Sequence, residues 1–212
     1  MGRVRMKKKR MIFIIAAAAA SVMLFGCTGT QNVQEAESPE SPAAVQTEAA
    51  ATQEEREMTV TSSGIAGGVM DPKYGAKGEL NAEGMPVVSL PLSVENAPDG
   101  TACFAVYMDD PDSKPLSGRS WVHWMAVNIP GGSIPEDFSR NAAGKAVQGE
   151  NDFGESGYGG PTPPDRDHTY VIAVYALDQV LPLEEGFSKS EFEQALEGHV
   201  LASAKTEGLY KK

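Results

Sequence analysis

Cysteine, histidine and tryptophan are scarce in this chain: two, three and two residues among 212. Two cysteines build neither a disulfide framework nor a cysteine-based metal site. Basic residues are outnumbered 18 to 29 by acidic ones, a formal charge of −11, which disfavours nucleic acid as a partner. Long hydrophobic runs are missing except one, Met11 to Phe25, and that run falls short of the roughly 20 apolar residues of a spanning helix. Also absent are a Gly-x-Ser-x-Gly elbow, a His-Glu-x-x-His helix and a phosphate loop, so no familiar hydrolase or nucleotide chemistry is signalled. The expectation is a protein that is not an enzyme and carries no cofactor or metal.

What the N-terminus does contain is ordered like a secretory signal. Arg3, Arg5, Lys7, Lys8, Lys9 and Arg10 precede the apolar run, which ends in Leu24-Phe25-Gly26-Cys27. An apolar residue, a small residue and then Cys resembles the lipobox of lipoprotein precursors, although Phe25 is bulkier than its usual occupant. Residues 1–26 are therefore predicted to be a lipoprotein signal peptide and Cys27 the lipidated residue. Each buried methylene of an acyl chain such as palmitate contributes about 0.8 kcal/mol to membrane anchoring. Cleavage before Cys27 removes six basic residues and no acidic one, taking the formal charge from −11 to −17. A chain this acidic reaches a membrane through lipid, so the predicted location is the extracytoplasmic face of the cell membrane.

Residues 27–57 are rich in Ser, Pro, Gln, Ala and Glu and poor in large apolar groups, the composition of a disordered acidic linker. The folded domain is predicted over 58–212. Its apolar runs are short and bounded by turn residues: Met58 to Ser63, Val87 to Val94, Ala102 to Met108, Trp121 to Ile129, Thr169 to Leu177 and Val200 to Tyr210. One helix is marked near the end, with Ser188 as N-cap, Glu191 three residues on and Gly198 as its stop. The fold class is mainly β, an antiparallel β-sandwich with a few peripheral helices. Cys103 lies inside a strand-like run and reads as a small buried hydrophobe.

Three features carry candidate chemistry. His123 sits in Trp121-Val-His-Trp124, where strict alternation puts Trp121, His123 and Met125 on one face and Val122, Trp124 and Ala126 on the other. Asp109-Asp-Pro-Asp112 gathers three carboxylates at a strand end shaped by proline. Tyr158-Gly-Gly-Pro-Thr-Pro-Pro164 is a stiff loop leading to His168, in which glycine lets a ligand approach the backbone. His199 follows the helix stop and reads as structural.

Taken in order, Asp110-Pro-Asp112, Trp121-x-His-Trp124 with Asn128-Ile-Pro130, Gly160-Pro-x-Pro-Pro164 before His168-x-Tyr170, and Gly198-His-Val-Leu-Ala202 resemble the phosphatidylethanolamine-binding family, in its bacterial Raf-kinase-inhibitor-like branch. The resemblance spans Met58 to Lys212. It implies that family's β-sandwich and an anion pocket made by Asp110, His123, His168 and Tyr170, with Gly160 and Pro161 in one wall. Imidazoles and a phenol donate hydrogen bonds to a phosphate or carboxylate, and a neighbouring Asp orients them. The sequence departs from the family pattern at Thr169, where Arg is common, at an extra residue around Lys114, and at Ser89-Leu-Pro-Leu-Ser93. The function expected is binding of a small anionic ligand, phosphate-like or a phospholipid headgroup. The alternative is a protein-interaction or inhibitor module using the same rim, with a metal-dependent or general-base hydrolase behind both.

Overall fold

A computed structural model describes residues 56–212. The segments predicted to be signal peptide and linker, with Cys27, lie outside the described residues except for positions 56 and 57. Among the described residues no helix is long and apolar enough to cross a membrane.

The strands are β1 (Thr59–Thr61), β2 (Ile65–Ala66), β3 (Val69–Met70), β4 (Leu92–Glu95), β5 (Cys103–Asp110), β6 (Trp121–Ile129), β7 (Ser133–Ile134), β8 (Val147–Gln148), β9 (His168–Leu177) and β10 (Val200–Tyr210). They form a small sheet, β1-β4-β7, and a large one, β2-β3-β10-β9-β5-β6-β8. Between these strands pairing is antiparallel apart from one parallel contact, Leu209 against Val69. A single turn, α1 (Lys114–Ser117), and the longer α2 (Lys189–Leu196) complete the fold. Ser188 and Glu191 close the expected capping box on α2.

Alternation along β5 sends Phe104, Val106 and Met108 to one face, where they meet Val60, Leu92 and Ile134 of the small sheet. Cys103 and Ala105 turn to the opposite face and pack with Leu177, Phe187 and Phe192 of α2. Cys103 is a free, buried thiol, as its apolar neighbours in sequence implied, and desolvation pushes its pKa up. The strand expected over Val87 to Val94 is shorter and shifted, Leu92–Glu95. Pro91 carries no N–H for a ladder, and pairing begins only after it.

The alternation expected for β6 is broken. Met108 pairs with Trp124 and Asp109 with Val122, which leaves His123 as an extra residue; a second shift falls between the Phe104–Ile129 and Val106–Ala126 pairs. Trp124 and Ala126 consequently join the core beneath the small sheet, while Val122, Met125 and Val127 belong to the core beneath α2. Met125 does not share the face of His123, and Val122 does not share that of Trp124.

Candidate functional site

At the end of β5 the chain turns sharply. Asp110 caps a single 3₁₀ turn, Pro111–Ser113, and its Oδ1 accepts from the Asp112 N–H at 2.9 Å. Ser113 holds this turn to the next strand: its hydroxyl donates to the Asp110 carbonyl at 2.6 Å and accepts from the Trp121 N–H at 2.9 Å. Asp109, on the opposite face, accepts from the Ser120 hydroxyl at 2.6 Å. Alternation thus separates two adjacent carboxylates, and Asp110 alone of the pair lines a cavity.

The bulge at β6 turns His123 toward the same place. Its Nδ1 lies 2.5 Å from the Gly159 carbonyl. A carbonyl only accepts, so Nδ1 carries the hydrogen and Nε2 presents a lone pair whenever the ring is neutral. Burial pushes the His123 pKa down; the Gly159 bond and the charges of Asp110 and Asp152 work against this without overcoming it. Tyr170, on β9, stands edge-on to the His123 ring at 5.0 Å between centroids. Burial, reinforced by the charge of Asp110, pushes the Tyr170 phenol far up, so it remains a neutral hydroxyl.

Asp110, His123 and Tyr170 therefore converge on a cavity of about 220 Å³. Trp121, Phe153 and Leu116 are among its remaining walls, and Leu116 and Phe153 are 56 % and 37 % exposed, leaving the mouth apolar. Among the described residues no lysine or arginine lines it. Sequence reasoning missed Phe153. The loop that carries it is organised by the buried Asn151, which accepts from the Phe153 N–H at 2.9 Å and donates to the Gly157 carbonyl at 3.0 Å. That arrangement has no local sequence pattern.

His168 takes a different position from the one the resemblance implies. It is fully buried and does not line the cavity. Its Nδ1 lies 2.7 Å from Asp110 Oδ2 and its Nε2 2.8 Å from Asp165 Oδ1, so neither nitrogen is left for a ligand. Gly160 and Pro161 also stand behind the wall, while Thr162 and Pro164 reach the cavity. A side chain at Gly160 would collide with the Tyr74 carbonyl oxygen and with Pro86. The Gly160 N–H donates to the Pro86 carbonyl at 2.9 Å, and the Pro161 carbonyl accepts from the Ala76 N–H at 2.8 Å. Glycine is needed here for close packing of the chain on itself rather than for the approach of a ligand. Where the family commonly has Arg, Thr169 offers its N–H to Asp112 at 2.8 Å, and Arg166 reaches the same carboxylate at 3.0 Å.

Known proteins resemble this chain in sequence and in fold. A family model described as phosphatidylethanolamine-binding protein matches residues 60–211. The uncharacterized protein YxkA of Bacillus subtilis is 39 % identical over 148 residues, 64 % of this chain and 88 % of the relative. A UPF0098 protein of Methanothermobacter thermautotrophicus is 43 % identical over 129 residues, 59 % and 83 % of the two chains. Among solved structures, Escherichia coli YbcL, described as a new member of the mammalian PEBP family, aligns with TM-score 0.64 and 33 % identity, covering 74 % of this chain and 99 % of its own. CT736 of Chlamydia trachomatis, described as a putative homologue, aligns with TM-score 0.62 and 34 % identity, covering 74 % and 98 %. The sheet order, the carboxylate–histidine–tyrosine cavity and these matches have one common reading: the chain belongs to the phosphatidylethanolamine-binding protein family, in the branch that holds its bacterial and archaeal relatives.

Proposed function

We propose that the cavity binds a small anion of the phosphate or phospholipid-headgroup type, and that the protein is a binding protein without catalytic activity of its own. The observation that carries this reading is the meeting of His123 Nε2 and the Tyr170 hydroxyl in a pocket that also shows the Asp110 carboxylate. Tyr170 donates to the anion. Asp110 and the neutral His123 are acceptors, so the ligand either brings a proton, as a monohydrogen phosphate group does, or binding charges the imidazole. With a phosphate monoester such as phosphoethanolamine a proton enters with the ligand in both cases, and its affinity rises as pH falls from 8 toward 6. The apolar mouth suits a headgroup with carbon next to it.

The test is thermal unfolding of the purified protein with phosphate or phosphoethanolamine. The ligand raises the wild-type Tm, and the shift disappears in His123→Ala. No shift with either compound at pH 6 sinks the reading.

Membrane tethering is proposed with it. Lipid on Cys27 would hold the domain at the extracytoplasmic face, close to phospholipid headgroups. Labelled palmitate incorporated by wild type and not by Cys27→Ala checks this; equal labelling of both overturns it. The exposure of Leu116 and Phe153 at the mouth also supports a second reading, a partner protein docked on the rim. A partner recovered from membrane extract by wild type and lost with Asp110→Ala would favour that reading.

A further inference from the structure

We propose that His168 is a positioning residue, which joins Asp110 at the cavity to Asp165 at the surface in one hydrogen-bonded trio that sets the charge the cavity wall shows its ligand. The inference rests on the anion-site reading above and gives His168 and Asp165 roles in it that neither fills by touching the ligand.

The geometry is a direct path from water to the cavity. Asp110 is 4 % exposed and lines the cavity; His168 is enclosed; the Asp165 side chain is 43 % exposed on the far side of the ring. Contacts of 2.7 and 2.8 Å to carboxylate oxygens each require a proton, and a neutral imidazole has one. With both contacts made, the trio holds a second proton and a net charge of −1. Loss of that proton leaves −2 and sets a ring lone pair against a carboxylate. An anion in the cavity therefore favours the proton-rich trio, and its affinity is tied to the trio's proton as well as to that of His123.

Neighbouring charges frame the trio from every side. Asp112, on the turn after β5, accepts from Arg166 at 3.0 Å, and Arg166 Nη1 stands 3.5 Å from Asp165. Lys212, at the end of the chain, donates through its ammonium to the Asp165 carbonyl at 3.1 Å and through its N–H to Asp167 at 3.0 Å. Tyr170 lies 6.4 Å away between ring centroids, with His123 beyond it. Partial desolvation raises the Asp165 carboxyl, but the bonds from His168 and Arg166 outweigh it and hold the group below its usual range. Asp165 is the one member of the trio that can be altered from outside. Asp165→Asn supplies an amide that can donate to Nε2, so a neutral ring then satisfies both contacts and the second proton is no longer needed.

The experiment measures phosphate affinity of the full chain from pH 6 to 8 for wild type, Asp165→Asn and His168→Asn. It also records the imidazole nitrogen signals of wild type and Asp165→Asn without phosphate. Comparing profiles for one probe cancels the titrations of phosphate and of His123. Asp165→Asn is expected to unfold at the wild-type temperature and to lose affinity with pH less steeply, by up to about tenfold per pH unit. His168→Asn is expected to bind weakly throughout, because Asp110 loses its anchor. Parallel wild-type and Asp165→Asn profiles overturn the proposal, as does wild-type affinity in His168→Asn. If wild type binds no phosphate, the anion-site reading fails by itself, and the ring signals still judge the trio. Signals of His168 that follow pH identically in wild type and Asp165→Asn overturn it; a displaced response supports it.

Discussion

The two ends of β6 carry the same irregularity and put it to opposite uses. Near Trp121 the extra residue is His123; toward Ile129 the other shift falls beside Asn128, whose φ is 62°. Asn128 uses its amide as a substitute strand: Nδ2 donates to the Leu181 carbonyl at 2.9 Å and Oδ1 accepts from the Leu181 N–H at 2.8 Å. Both ends of that amide find backbone partners. At the opposite end His123 satisfies only Nδ1, through Gly159, and Nε2 faces the cavity beside Tyr170 and Asp110. A bulge breaks face alternation in both places, and what fills the exposed side decides between closure and an open cavity.

The largest expected effect tests the closed end. Asn128→Ala leaves the Leu181 backbone pair without partners and forces alanine into left-handed φ, at a cost of about 3 kcal/mol. Chemical denaturation should show that loss, while phosphate affinity stays at the wild-type value. A matching loss of affinity would mean the two ends are coupled through β6 and would break the comparison.

The next concerns the open end in acid. Burial depresses the His123 pKa in the folded state, so unfolding lets the ring take up a proton below the ordinary value of 6.5. Stability without ligand should therefore fall as pH drops through that value. The fall should be shallower in His123→Gln, as followed by Tm between pH 5.5 and 7.5. Identical slopes would show that His123 is not held neutral in the folded protein.

The smallest effect supplies a ruler. Ser188→Ala removes the capping box of α2, which contributes no residue to the cavity lining or to the Asn128–Leu181 hydrogen bonds, and should cost about 1 kcal/mol without altering either ligand affinity or its pH dependence.

Much of the scaffold was legible because its signals are local. The run Trp121 to Ile129 became a strand over those same residues, and Ser188 and Glu191 marked the start of α2 within four residues of chain. Proline at position 91 was equally readable, yet the apolar run through Val87 outweighed it in the strand expected there; the missing N–H delays pairing to Leu92. Part of the site was legible as well. Asp110, His123 and Tyr170 line the cavity that the family resemblance implied. The departures share a cause, which is contact across long stretches of chain. His168 faces Asp110 from 58 residues away, and Phe153 reaches the cavity only because the loop through Asn151 folds back over His123.

By itself the sequence determined the long strands and where α2 is capped, since period and caps act within a few positions; the short strands β2, β3, β7 and β8 had no such signal. Tertiary structure decided which way the strand residues face. The register of β5 against β6 moved Met125 and Trp124 to new faces, and Tyr74 and Pro86 claimed the space beside Gly160. Packing also gave both nitrogens of His168 to carboxylates instead of to a ligand. Those outcomes depend on partner atoms remote in sequence, whose distances only the folded chain fixes.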